Sequence, residues 1–296
     1  SVLVSSVANV ILDVLFVAVL GYGAAGAALA TVMAQAAMTV YLIGYTVIKY
    51  PSLRFRLFHP AWDSRNAAQG ARFGLPVATQ SGVSSAGNIF LQRFMNGFGE
   101  QTVAAITTAY RVDTVIFLPI INFGSGIATI VAQDTGAGDR VRARQVLRIG
   151  TVIMAVISLA LTGLVLLLGE YLIAIFGLTP DSVGIGRSFF HSIAWFYLIY
   201  GLSMAIRGYL EGTGDMVFSG AAGILSLLVR IVCSYTFRPV FQNMVVAYAE
   251  AFSWIFLILM YLGRYLWKSG KRGAKSQSSR WTDRSSGGCA PGQDNQ

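Results

Sequence analysis

Eight runs of largely apolar residues recur along the chain, at about 2–20, 24–48, 71–97, 102–134, 143–169, 184–210, 216–237 and 242–266. Crossing the hydrocarbon of a bilayer takes about 20 mostly apolar residues per helix. Runs this long and this uncharged are unsuited to the core of a soluble domain. Composition agrees, with 55% of the 296 residues hydrophobic and only 12% charged. A soluble domain carries about a quarter charged residues. Mean hydropathy is +0.61. The predicted fold is therefore an all-α polytopic membrane protein with eight transmembrane helices.

A net charge of +9 invites a nucleic-acid partner, but the distribution of the basic residues excludes it. Lys49, Arg54, Arg56, Arg65 and Arg72 flank the long connection at 49–70, and Arg140, Arg142, Arg144 and Arg148 follow the fourth run. Arg207 ends the sixth run, and Arg264, Lys268, Lys271, Arg272, Lys275, Arg280 and Arg284 fall at the end of the eighth and beyond it. The opposite loops hold only Arg187 and Arg238. Such a bias marks the cytoplasmic side of a membrane protein. The C-terminus is thus expected in the cytoplasm, with the chain multi-pass in the plasma (inner) membrane and the lipid bilayer as its partner. From Trp267 onward the chain turns Ser-, Gly-, Lys- and Arg-rich and reads as a disordered basic tail. Cys233 and Cys289 form no disulfide framework, and two scattered histidines offer no metal-ligand spacing. Ser1 follows no initiator Met and the first residues already read as helix interior, so a partial sequence is expected.

Several motifs require sorting. Gly21-Tyr-Gly-Ala-Ala-Gly26 fits GxGxxG, but a dinucleotide site needs a βαβ unit and an acid about 20 positions on. Here the flanking runs are of membrane length, so the expected role is a glycine turn with close helix packing. Gly70-x-x-x-Gly74 and Gly208-x-x-x-Gly212 read the same way.

The third run carries Gln80, Ser84, Asn88, Gln92 and Asn96, one polar residue every four. Residues four apart share a helix face, so these form a polar ribbon. Facing lipid, the ribbon would leave amides unsatisfied; it must face protein or water. Interhelical hydrogen bonding would suffice, but a ribbon along most of the bilayer depth fits the wall of a wet substrate cavity.

Arg111 and Asp113 lie within the fourth run, followed by Pro119 and Asn122. A charge at mid-span costs about 2.5–3.5 kcal/mol on insertion scales, so both need partners. Positions i and i+2 point apart, so each finds partners on other helices, or one snorkels toward an interface. Pro119 interrupts the backbone ladder and is expected to kink the helix. Asp13 and Arg230 also fall within runs, as candidate ion-pair members.

Asn9-Val-Ile-Leu-Asp13-Val-Leu-Phe and Gly23-Ala-Ala-Gly-Ala-Ala-Leu-Ala-Thr31 resemble the fifth and sixth helices of multidrug and toxic compound extrusion (MATE) transporters. Similar stretches follow in order: Gly74-Leu-Pro76, Gln92-Arg-Phe-Met-Asn-Gly-Phe-Gly99, Val131-Ala-Gln133-Asp-Thr-Gly-Ala-Gly-Asp139, Arg207-Gly208 and Gly212-Thr-Gly-Asp215. The resemblance implies twelve helices in two six-helix lobes, of which this chain holds helices five to twelve. Residues 1–48 are then the last two helices of the N-lobe, and 49–70 the cytoplasmic inter-lobe connection. Residues 71–266 form a complete six-helix C-lobe and 267–296 the tail. Some sodium-coupled members use a Glu in helix seven and an Asp in helix ten; counting places Ser84 and Tyr200 near those positions. In other members the coupling ion is carried by an acid of the first helix, outside this sequence.

The function implied is secondary active efflux of amphipathic, cationic organic compounds, driven by sodium or proton antiport with alternating access. It needs no cofactor beyond the coupling ion, and the full-length protein is expected to be a monomer acting on small organic substrates. Asp113 is the candidate acidic contact. Gln80, Ser84, Asn88, Gln92, Arg111, Asn122 and Tyr200 are the candidate cavity residues. Two alternatives remain open: a lipid-linked oligosaccharide flippase, for which Arg93, Arg111 and Arg230 would supply positive charge, and a non-functional partial copy. No nucleophile–base pair, metal cluster or phosphate loop supports an enzyme.

Overall fold

The computed structural model describes residues 2–50 and 63–286, with side chains as far as Lys268 apart from those of Val2, Leu3 and Phe73. Positions 51–62 of the connection expected at 49–70, and residues 287–296 of the tail, lie outside the described residues. The chain divides into two units, Ser1–Ser64 and Arg65–Gln296.

The first unit is a helical hairpin. Helix α1 (Val2–Asp13) continues as a π-helical stretch, Val14–Val19, and the chain then turns into α2 (Gly23–Lys49). Gly21 and Gly23 take φ of +68° and +54°, left-handed values that an L side chain rarely adopts. A Cβ on Gly26 would stand 3.0 Å from the Phe16 carbonyl oxygen. The GxGxxG segment is therefore a tight turn and a close approach of backbones. Ser5 Oγ donates to the Ala34 carbonyl at 3.3 Å and Asn9 Nδ2 to Thr31 Oγ1 at 3.5 Å, tying α1 to α2.

The second unit contains α3 (Ser64–Met95), α4 (Glu100–Gly136), α5 (Arg140–Ala174), α6 (Pro180–Ile193), α7 (Tyr197–Gly212), α8 (Met216–Thr236), the single turn α9 (Arg238–Phe241) and α10 (Val245–Ser286). Their starts follow local chemistry. Asp139 accepts the Arg142 amide at 2.9 Å to cap α5, and Thr179 caps α6 with Pro180 as its first residue. Helices α6 and α7 form one apolar stretch broken by a 3₁₀ turn at Ala194–Phe196. Thr162 of α5 donates to the Ala194 carbonyl at 2.9 Å and so satisfies backbone at the break.

Helices α4 and α7 meet on glycine. A Cβ at Gly208 would lie 2.4 Å from the Gly124 carbonyl oxygen, and one at Gly212 would lie 2.6 Å from that of Ala128. The Gly208-x-x-x-Gly212 packing reading holds. Gly70 and Gly74 differ: among the described residues a Cβ at either would meet nothing within 4 Å, so spacing alone does not make a contact. A core of Ile106, Phe189, Phe190, Tyr197, Trp254 and Tyr261 fills the middle of the unit. Val152, Val156, Leu159 and Leu167 of α5 stay exposed, opposite buried Met154, Ser158 and Val165. An outward apolar face of that extent suits a lipid environment.

The eight expected runs recur as eight helical stretches in the same order. Six of them, among the described residues, are long and apolar enough to cross a membrane. Val4–Val19 is shorter, and the polar ribbon keeps α3 below that hydropathy. Beyond Trp267, where a disordered tail is expected, the backbone stays helical to Ser286. The residues there include good helix formers (Ala, Lys, Arg and Gln), and the next proline is Pro291.

Candidate functional site

Helix α4 directs Tyr110, Asp113, Thr114 and Phe117 to one side, the i, i+3, i+4, i+7 spacing of a helix face. Asn88 and Gln92 of α3, Arg230 of α8 and Glu250 of α10 complete the wall of a cavity of about 310 Å³. Asp113 is 2% exposed and Glu250 8%.

Two hydrogen-bond systems hold these charges. The Tyr197 hydroxyl, from the first residue of α7, donates to Asp113 Oδ1. Arg230 Nη2 donates to Tyr110 Oη at 2.7 Å and to Glu250 Oε2 at 3.0 Å, and its guanidinium carbon stands 5.5 Å from the Tyr110 ring centroid. Asp113 Oδ2 and Arg230 Nε are buried without a hydrogen-bond partner among the described residues. A buried ion pair needs its remaining hydrogen-bonding capacity met, and each unmet polar group costs about 1–3 kcal/mol. One unpaired acceptor and one unpaired donor around a single cavity therefore mark a site able to take a polar or charged ligand. Its apolar side is aromatic. Phe117 lies 5.0 Å from the rings of both Tyr197 and Tyr200 and 5.7 Å from Trp254.

The expected cavity residues divide. Asn88, Gln92 and Asp113 come together in this cavity, and Tyr200 stacks beside it, 4.9 Å from Trp254. Arg111 points away, as its i, i+2 relation to Asp113 requires. It is exposed and lines a separate cavity of about 640 Å³ with Asn96, Glu100 and Thr107. Gln92 borders both cavities. Gln80, at the other end of the ribbon, accepts from Arg207 Nη2 at 3.5 Å beside the Arg207–Glu211 pair. Ser84 is half-buried and lines neither cavity. Asn122 is exposed, and its Nδ2 donates to the Leu118 carbonyl next to Pro119. Helix α4 continues through Pro119. Glu250, Tyr110 and Tyr197 are functional candidates that sequence reasoning missed. Glu250 did carry a signal, as the single acid between Asp215 and Asp283.

The sequence profile of the MatE family matches residues 76–236, which include every helix of this cavity except α10. The chain belongs to the MatE family. It is 28% identical over 237 residues to a probable multidrug resistance protein, YpnP, of Bacillus subtilis, covering 80% of this chain and 52% of that one. It is 25% identical over 289 residues to human multidrug and toxin extrusion protein 2, covering 94% and 47%. Among solved structures, a crystal structure of MATE in complex with MaL6 superposes with a TM-score of 0.80 at 19% identity, over 92% of this chain and 62% of that one. A MOP superfamily transporter from Pyrococcus furiosus superposes with a TM-score of 0.77 at 20% identity, over 91% and 61%. These likenesses establish an all-helical, multi-pass membrane fold of MATE type over the aligned part. The chain spans about half the length of these two curated relatives.

Proposed function

We propose that this chain forms part of a transporter that exports amphipathic, cationic organic compounds in exchange for sodium ions or protons, by alternating access. Residues 1–48 would close one lobe, 49–70 connect the lobes, 71–266 form the six-helix C-lobe, and the C-terminus face the cytoplasm. The observation that carries the reading is Asp113: a carboxylate 2% exposed, with one oxygen unpartnered, beside an aromatic wall. A buried acid on an apolar, aromatic surface recognises a lipophilic cation by charge and by cation–π contact. Relatives described as multidrug resistance and multidrug export proteins support the same direction.

A coupling cation and an organic cation that both need Asp113 exclude each other. Each then stabilises a different state of the transporter, and exchange follows from that competition. A flippase would require several arginines converging on one cavity. Arg230 alone lines the acidic cavity and is held by Glu250, while Arg111 lines the other. This favours export over flipping.

The test is ethidium accumulation in an efflux-deficient host expressing the protein from its complete gene. Expression should lower accumulation in an ion-gradient-dependent manner, and Asp113→Asn should abolish the effect while membrane levels stay normal. Unchanged export by that variant removes Asp113 from the mechanism; unchanged accumulation with the native protein removes the export reading.

A further inference from the structure

The acids and bases of the cavity do not balance. Asp113 and Glu250 contribute two carboxylates, and Arg230 is the one base on the same wall. The titratable groups acting on Asp113 are Tyr197, Glu250, Arg230 and Tyr110, the last bonded to both Arg230 and Glu250; among the described residues α3 adds only the amides of Asn88 and Gln92. Arg230 commits Nη2 to Glu250 at 3.0 Å and to Tyr110 at 2.7 Å, and makes no bond to Asp113. Its Nε and Asp113 Oδ2 are both buried and both unpartnered among the described residues. A donor and an acceptor of opposite charge that border one cavity, yet stay unpaired, are being held apart. Arg230 is held by Glu250, its charged partner, and by Tyr110.

From this arrangement we infer that Glu250 is a positioning residue that sets the charge of the site: by keeping Arg230 away from Asp113 it leaves one uncompensated carboxylate, so the cavity takes one monovalent organic cation in exchange for one proton. The inference deepens, and rests on, the reading of this cavity as a cation-export site. With Asp113 protonated and Arg230 paired to Glu250, the cavity is neutral. A monocation that binds displaces the Asp113 proton to solvent, and the cavity is neutral again. A dication would leave a net charge buried, which is costly. A neutral compound would displace no proton. Were Glu250 uncharged, Arg230 would be free to neutralise Asp113, and an arriving cation would meet a guanidinium.

Tetraphenylphosphonium is the probe, because its charge does not titrate, and the purified full chain in lipid nanodiscs is the sample. Binding followed by calorimetry from about pH 5 to about pH 9 should weaken on acidification with a slope of one proton per bound cation. Glu250→Gln should weaken binding roughly 10- to 100-fold and flatten that slope. Adding Arg230→Gln to Glu250→Gln removes the whole pair and should bring binding back to within about fivefold of the native value, slope included. A merely structural ion pair would give no such rescue. A wild-type slope of zero or two overturns the inference, as does native-like binding by Glu250→Gln or a double variant as weak as the single one. Failure of the wild type to bind the probe also overturns it, whether or not export is seen. Loss of export with this binding pattern intact overturns the export reading alone.

Discussion

Tyr197 donates its phenolic proton to Asp113 Oδ1 across 84 positions of sequence, joining the first residue of α7 to the middle of α4. Tyr197→Phe keeps the ring against Phe117 and Trp254 and deletes only the donor. Both oxygens of Asp113 then lack a protein partner, at a cost of about 1–3 kcal/mol. The expected outcome is a lower unfolding temperature in detergent. Tyr200→Phe is the control: it keeps the ring against Phe117 and Trp254 and touches no oxygen of Asp113, so stability should change by less than about 0.5 kcal/mol.

The turn between α7 and α8 is tied to α10 by Asp215, which accepts from Arg264 at 2.7 and 3.0 Å and pairs with Lys268 at 2.9 Å. Partial burial alone would raise the Asp215 carboxyl, but hydrogen bonds from Arg264 and Lys268 outweigh it and hold the group below the usual carboxylate range. A depressed folded-state value contributes stability that is complete above the ordinary aspartate range. That contribution is lost as pH falls through the folded-state value. Asp215→Asn should therefore cost about 1 kcal/mol at neutral pH. Its stability should also fall less than the native protein's on acidification below about pH 4. Thermal melts of both proteins across pH check the sign; a parallel decline would remove Asp215 as the cause.

Gly208→Ala forces a Cβ to within 2.4 Å of the Gly124 carbonyl oxygen, a backbone atom that cannot swing aside. Separation of α4 and α7 should cost about 1–3 kcal/mol. Gly163→Ala, in α5 with nothing within 4 Å of the new Cβ, should be neutral or stabilise by up to about 1 kcal/mol. Comparing the unfolding midpoints of the two variants isolates the seam from helix propensity.

Thr162→Val removes the side-chain bond to the Ala194 carbonyl at the α6–α7 break and keeps the side-chain shape. Interhelical bonds of this kind contribute about 0.6–2 kcal/mol. Hydrogen exchange at residues 194–198 should rise in the variant while exchange along α5 stays as it was.

Span order and the glycine turn at 21–26 were legible in the sequence because each rests on a local rule, whereas Asn88, Gln92 and Asn96 of the ribbon stay exposed. Hydrocarbon thickness sets run length, and φ selects glycine. Asp113 was legible for the same reason, since a charge in mid-span demands partners. Its partners were not. Tyr110 and Tyr197 read as ordinary core aromatics until their hydroxyls are placed. The Arg230–Glu250 pair depends on how α8 and α10 pack, which no residue spacing encodes. Arg111 misled because proximity in sequence suggested a shared cavity, whereas the helix turns it to another face. The Gly70–Gly74 spacing misled because small residues permit a close approach but do not bring a neighbour to it.

The glycine seam has a consequence for movement. Where Gly208 and Gly212 rest directly on the Gly124 and Ala128 carbonyls, the backbones of α4 and α7 come into contact, flanked by Ile127, Val131 and Met204. Two rods in backbone contact resist sliding, so they would travel as one piece. Asp113 and its donor Tyr197 ride on that piece together. On the proposed transport reading, a change of access to the acid would then come from the helices that carry the other walls, α3, α8 and α10, moving past that pair.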